Sequence, residues 1–348
     1  MSLNTPGVLS QGFSIGDFQH DYLDETSLDC DMDTTYGMGA PMKVAIIGAG
    51  RNRNGIGEFI AKYLHTKNAV VSCVLGTTKS SSSSAATNLV KYGIQAQAYT
   101  VFSEMMKSSQ PDTVVIASPT STHRGYIEKC LAAGVHIFCE KPLVSPELGG
   151  MPDLIEGFFR QAQERSVVMT MNSQWPFSLP FYEELCGKID PSHLEKFSIR
   201  LSPTSSGVEM IPDALPHALS ILYTVAGSGE IKALSFKGHG DSMLIRFSYL
   251  NRYGTCDVSV ELVRESIQPR TFSFGFNGRI VHRLIDPELY TIYLTYGGKT
   301  LNIPDPLELS VCDFIEAVRS GGEPAVGRRH IMETSSLLQN IFTAYKHA

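Results

Sequence analysis

From Met42 onward the chain alternates short apolar runs with stretches of helical length, and this rhythm limits its fold more than any other feature. Residues 44–47, 70–75, 113–117, 135–139 and 167–171 are nearly continuous in apolar side chains. Such runs read as strands buried on both faces, as in a parallel sheet. Helical stretches at 58–64, 85–92, 126–133 and 155–164 separate them. Strands alternating with helices build βαβ units, so a doubly wound parallel domain is expected to end near Asn172.

The second half changes period. Residues 197–201, 243–247, 256–262, 271–274 and 290–294 alternate apolar with polar residues. Turn signals lie between them at Asn251 to Gly254, Asn277-Gly278 and Gly297-Gly298. This pattern predicts an open, mainly antiparallel sheet with one packed face. Helices expected over 214–226, 306–319 and 328–346 would cover that face, leaving the other to meet a second subunit. The fold class is therefore α/β, a doubly wound domain over 42–172 followed by an α+β domain over 173–348.

Charge is unevenly placed. The formal net charge is −6, yet residues 1–41 hold Asp17, Asp21, Asp24, Glu25, Asp29, Asp31 and Asp33 and no lysine or arginine. That acidic leader reads as flexible, or as an arm anchored by Phe13, Phe18, Tyr22 and Tyr36. The remainder has 29 basic and 28 acidic residues, with no basic excess to suggest nucleic acid. No apolar run is long enough to cross a membrane, and the N-terminus lacks the pattern of a secretory signal. The seven cysteines (30, 73, 130, 139, 186, 256 and 312) are scattered without a C-x-x-C pair. Neither a disulfide framework nor a zinc site fits, no metal is expected, and a cytoplasmic setting is the natural reading.

Gly48-Ala49-Gly50 ends the first strand and precedes a helix. Glycine lets backbone approach a pyrophosphate at a helix N-terminus, whose free N–H groups favour anions. Arg53 stands where a third glycine is usual, and Gly55 and Gly57 follow, so the loop Arg51 to Asn54 reads as lengthened. Ile56-Gly57 replaces the Lys-Ser/Thr of a P-loop, which excludes an NTPase. Gly48, Gly50, Arg51, Asn52 and Gly55 are the candidate cofactor contacts of a Rossmann domain. The second strand ends Leu75-Gly76-Thr77-Thr78-Lys79, with serines at 80–84 and no carboxylate for a ribose 2′-hydroxyl. Thr77 and Lys79, aided by Arg51 or Arg53, suit a 2′-phosphate, so NADP(H) is expected over NAD(H), which stays possible.

Cys139-Glu140-Lys141-Pro142 caps the strand over 135–139. Ligands of open α/β sheets bind beyond the carboxyl ends of the strands, so Lys141 would reach a substrate there, its backbone restrained by the proline. Residues 112–123, Asp-Thr-Val-Val-Ile-Ala-Ser-Pro-Thr-Ser-Thr-His, and 134–143, Gly-Val-His-Ile-Phe-Cys-Glu-Lys-Pro-Leu, resemble motifs of the glucose-fructose oxidoreductase / inositol dehydrogenase / MocA (Gfo/Idh/MocA) family. The resemblance is detailed over 43–175 and general beyond. It implies an NAD(P)-dependent oxidoreductase acting on sugars, polyols or related small molecules. Ser118, Pro119, Thr120, Glu140 and Lys141 would line the cofactor, and His123 reads as a helix-start residue.

Ile211-Pro212-Asp213-Ala214-Leu215-Pro216-His217 matches the family's Asp and His four apart, though the glycine often found between them is absent. Residues i and i+4 share a helix face. Pro216 suits a first helical turn, which would leave Asp213 in the lead-in. A carboxylate there would fix the imidazole tautomer and raise its basicity. Lys141, Asp213 and His217 are thus the expected catalytic set, with Trp175 as a substrate-facing wall beside them. Either Lys141 or His217 would serve as the base, and a homodimer or homotetramer is expected. A non-catalytic dinucleotide-binding sensor on the same fold is the alternative.

Overall fold

A computed structural model describes residues 40–50 and 55–348. Ala40–Ala348 make one compact unit. The acidic leader and the expected loop contacts Arg51, Asn52 and Arg53 lie outside the described residues.

The first half runs β1 (Lys43–Ile47), α1 (Ile56–Thr66), β2 (Val70–Leu75), α2 (Lys79–Leu89), β3 (Gln97–Tyr99), α3 (Phe102–Ser109), β4 (Thr113–Ile116), α4 (Thr120–Ala133), β5 (His136–Glu140), α5 (Met151–Glu164) and β6 (Met169–Asn172). All strand pairs in this six-stranded sheet are parallel, in the order β3-β2-β1-β4-β5-β6. The order reverses between β1 and β4, which opens a crevice at their carboxyl ends. Every residue of β4 is buried, as the unbroken Thr-Val-Val-Ile run requires.

Three elements depart from expectation. The three-residue β3 and the short helix α3 after it carry no apolar run long enough to announce them. Helix α2 begins at Lys79 instead of Ala85, so the serines at 80–84 are helical. Thr78 explains why: its hydroxyl accepts from the Ser81 amide and the Ser81 hydroxyl accepts from the Thr78 amide, a reciprocal cap that offsets the low helix propensity of serine.

The second half holds α6 (Leu179–Cys186), β7 (Lys196–Leu201), α7 (Met210–Ala226), β8 (Gly229–Lys237), β9 (Ser242–Asn251), β10 (Gly254–Val263), β11 (Ser273–Phe276), β12 (Arg279–Asp286), β13 (Thr291–Tyr296), β14 (Lys299–Ile303), α8 (Pro306–Ser320) and α9 (Arg328–Lys346). Its eight strands run β14-β13-β12-β11-β7-β10-β9-β8, antiparallel except for the pair β7 and β10. Alternating burial along β9 and β10 gives the sheet one packed face, as expected. Both Asn277 and Gly278 have positive φ, which matches the tight hairpin between β11 and β12.

The three late helices do not all serve this sheet. Leu307, Val311, Phe314 and Ile315 of α8 join the core of the parallel sheet with Val44, Ile46 and Phe138. The rings of Phe138 and Phe314 meet edge to face at 5.3 Å. The chain therefore returns to its first half, and α8 covers the parallel sheet in place of the antiparallel one. α9 packs against α5 and α7, and α7 lies on β7 and β10.

Cys73, Cys130, Cys139, Cys186 and Cys256 are buried free thiols, whereas Cys312 is disulfide-bonded. Among the described residues no helix is long and apolar enough to cross a membrane. No cluster of three or more histidine, cysteine or acidic side chains is placed to hold a metal there.

Candidate active site

The crevice is built from strand ends. Gly48 leaves β1 with φ +89°, a conformation that side chains resist, and its amide donates to the Leu75 carbonyl. A Cβ at Gly50 would stand 2.7 Å from the Ser81 carbonyl oxygen, so only glycine fits where this loop meets α2. Gly55 is the N-cap of α1 and makes no side-chain cap bond. Pro119 occupies the same place on α4, also without one. Helices α2 and α8, by contrast, are capped by Thr78 and Asp305. Helices α1 and α4 follow β1 and β4, on either side of the strand-order reversal, and their N-termini face the crevice without a side-chain cap, a state they share with other helices of the chain. Free N–H groups there suit the pyrophosphate of a dinucleotide, so this part of the chain fits such a group. Thr77 and Lys79 are exposed at the start of α2.

Ser118 is buried at the end of β4, and its hydroxyl pairs with Thr122 at 2.7 Å. Thr120 opens α4 beside the exposed Pro119. His123 is fully buried, with its Nε2 2.8 Å from the Ser118 carbonyl and its Nδ1 2.8 Å from the Pro142 carbonyl. It therefore clasps the loop after β4 to the loop after β5. Nothing in the local sequence signals this role, because both partners are backbone atoms. Glu140 ends β5 and accepts from the Asn172 amide at the end of β6.

Lys141 projects from this edge and finds α7. Its ammonium donates to the Asp213 backbone carbonyl and, at 3.2 Å, to the Asp213 carboxylate. The lysine is 14% exposed and the aspartate 30%. Helix α7 starts at Met210, so Pro216 lies in its interior and Asp213 in its first turn. This corrects the expected start, which placed Pro216 in the first turn. Pro216 has no N–H to give to the Pro212 carbonyl and crowds it. The carbonyl next in line, that of Asp213, takes the Lys141 ammonium.

The Asp213 carboxylate is fully engaged, but not with His217. One oxygen faces Lys141; the other accepts from the Thr204 amide and hydroxyl and from the Ser205 amide and hydroxyl, the last at 2.9 Å. Burial alone would raise its pKa, yet the Lys141 charge and the Ser205 hydroxyl outweigh that and hold it far below the usual carboxylate range. His217 is half-buried, and its Nδ1 is sealed from solvent without a partner. The expected carboxylate–imidazole bond is thus absent, because four donors from the 204–205 loop and the lysine claim the oxygens first. Burial and the nearby Lys141 charge depress the His217 pKa well below the ordinary histidine value, so the ring is neutral at neutral pH.

Trp175 follows β6 in a short 3-10 turn and is 5% exposed. Its ring meets His217 edge-on at 6.4 Å and stacks on Phe272 at 3.8 Å between centroids. Lys141, Asp213, His217 and Trp175 therefore converge, although they come from β5, α7 and the turn after β6. The arrangement pairs a proton-donating ammonium with a neutral imidazole at the carboxyl edge of a parallel sheet.

Comparison with known proteins agrees with this architecture. Residues 42–173 match the Gfo/Idh/MocA model, described as an oxidoreductase family with an NAD-binding Rossmann fold. The D-glucoside 3-dehydrogenase of Escherichia coli (strain K12) is 32% identical over 109 residues, which span 31% of this chain and 29% of that protein. The UDP-N-acetylglucosamine 3-dehydrogenase GnnA from Acidithiobacillus ferrooxidans superposes with a TM-score of 0.64 at 16% identity, covering 87% of this chain and 97% of that one. A levoglucosan dehydrogenase solved with NADH and levoglucosan gives 0.66 at 14% identity, covering 88% and 97%. These structures share the fold with its parallel and mainly antiparallel sheets. The crevice, the glycine turn and the sequence match together make residues 42–173 similar to the Gfo/Idh/MocA oxidoreductase family, whose model describes an NAD-binding Rossmann fold.

Proposed function

We propose that this chain is an NAD(P)-dependent dehydrogenase that oxidises a hydroxyl-bearing carbon of a sugar, polyol or related small molecule, or reduces the corresponding carbonyl. The observation that carries the reading is the Lys141 ammonium held by Asp213 beside a neutral His217, at the strand edge where Gly48, Gly50 and the uncapped α1 leave room for a dinucleotide. A nicotinamide bound there would supply or accept the hydride. Lys141, already paired and charged, hydrogen-bonds the substrate oxygen and stabilises the charge that develops on it. His217, held neutral, accepts the hydroxyl proton. Asp213 positions the lysine and pins the 204–205 loop, and Trp175 walls the site. Ser118, Thr120 and Glu140 frame the cofactor side of the crevice.

NADP(H) is the preferred cofactor in this reading, since Thr77 and Lys79 stand exposed at the N-terminus of α2 and no carboxylate ends β2. The kinship with glucoside, UDP-N-acetylglucosamine and levoglucosan dehydrogenases supports a sugar-like substrate. Fluorescence titration with NADPH and NADH, followed by absorbance assays across sugars and polyols, tests the proposal. Micromolar binding with turnover on at least one sugar is expected. Failure to bind either nucleotide would overturn it in favour of a protein that has kept the fold without the reaction.

A further inference from the structure

Two arginines meet beside an aromatic wall. Arg283, on β12, brings its guanidinium carbon within 5.3 Å of the Trp175 ring centre and 5.4 Å of the Phe272 ring centre. Its one hydrogen bond runs from Nη2 to the Arg270 backbone carbonyl, at 2.7 Å. The Nε atoms of both Arg283 and Arg270 are sealed from solvent with no acceptor, and neither side chain forms an ion pair among the described residues. The carboxylate whose charge acts on Arg283, that of Asp305, is already engaged by the Tyr63 hydroxyl at 2.7 Å and the Leu307 amide at 2.9 Å. Burial, and to a lesser degree the Arg270 charge, makes the Arg283 cation costlier to hold than an exposed arginine.

A half-buried guanidinium with an idle donor is a poor choice for stability alone, because the desolvated charge goes uncompensated. Its planar fork matches an oxyanion such as carboxylate or phosphate. Trp175 touches both Arg283 and His217, edge-on to the imidazole and close to the guanidinium. Building on the dehydrogenase reading above, we infer that Arg270 and Arg283 form an anion subsite and that the sugar substrate carries an oxyanion. Sugar acids, sugar phosphates and nucleotide-linked sugars share that chemistry.

The test is calorimetric binding to the full-length protein, with and without NADP+ or NAD+. The probes are glucuronate, glucose 6-phosphate, UDP-N-acetylglucosamine and uncharged methyl glucoside. At least one anionic probe should bind ten-fold or more tightly than methyl glucoside. Arg283→Met and Arg270→Met should each weaken that probe roughly 10- to 100-fold, the fold-change that a charged hydrogen bond carries. Arg283→Lys should recover part of the loss, and the cofactor affinity should not change. Near-ultraviolet circular dichroism checks that each variant is folded. Equal binding of charged and uncharged sugars would overturn the subsite, as would Met variants that bind the anion normally. Variants that weaken the nucleotide and spare the sugar would also overturn it, by assigning the arginines to cofactor phosphates. Anion binding without any nicotinamide binding would keep the subsite and sink the dehydrogenase reading, so the two failures are distinguishable.

Discussion

The six-stranded sheet buries both faces and offers only its carboxyl edge, whereas the eight-stranded sheet buries one face and works through side chains along its strands. In the first, the backbone sets the site: glycines turn, helix N-termini stay open, and Lys141 follows a strand end. Beside the second, Trp175, Phe272 and Arg283 of β12 meet by side-chain packing. A site assembled by backbone tolerates little change in chain path. One assembled by side chains can change its ligand without changing its fold.

The largest effect should come at the edge of the first sheet. Lys141→Ala is expected to lower kcat by about 10²- to 10⁴-fold while the nucleotide Kd moves by no more than about two-fold. Near wild-type turnover in steady-state assays would break the contrast. In the second sheet the cost should fall on stability. Phe274, fully buried and stacked on Tyr182 at 5.3 Å, should lose about 3–5 kcal/mol on Phe274→Ala, measured by denaturant unfolding.

The pH profile sharpens the comparison further. His217 must be neutral to accept a proton, and its pKa is depressed by burial and by Lys141. The acid limb of kcat should therefore lie well below the ordinary histidine range, near 6.5. An acid limb that coincides with free histidine would remove His217 as the base. Asp313 gives the opposite sign: burial raises its pKa to about 7 against the Ala325 amide that it accepts from. Its folded form prefers the proton, so its stability contribution is complete below the unfolded value near 3.8 and is lost as pH rises through about 7. Asp313→Asn should raise Tm at pH 8 relative to wild type and change little at pH 4. The smallest effect is expected at Lys79. Lys79→Ala should weaken NADPH by about five- to ten-fold and leave NADH unchanged, because one exposed charge is screened by solvent.

The parallel sheet was legible because buried strands are written as continuous apolar runs; only Gln97–Tyr99, with two exposed residues of three, escaped. Helix α9 was legible to the residue, since its apolar stripe is long and Gly327 precedes it. Edge strand β8 was not, because a register shift between Lys232 and Ser235 interrupts the alternation of its half-buried residues. The serines at 80–84 looked like a loop since the cap at Thr78 depends on a reciprocal bond rather than on composition. At the site, the spacing of Asp213 and His217 was plain, but spacing does not state partners. The carboxylate chose Thr204, Ser205 and Lys141, which lie 9, 8 and 72 residues away. Arg283 left no local motif, because its setting arises only when Trp175 folds against it.

Asp213 also acts as a joint. Lys141 hangs from the first sheet, the 204–205 loop follows β7 of the second, and one carboxylate on α7 grips both. Any motion that parts the sheets must either carry α7 with one of them or break an ion pair and up to four hydrogen bonds. If the lysine lets go, its charge loses its counter-ion at the moment the crevice widens. Opening and disarming would then be a single mechanical event, with the lever arm only one side chain long.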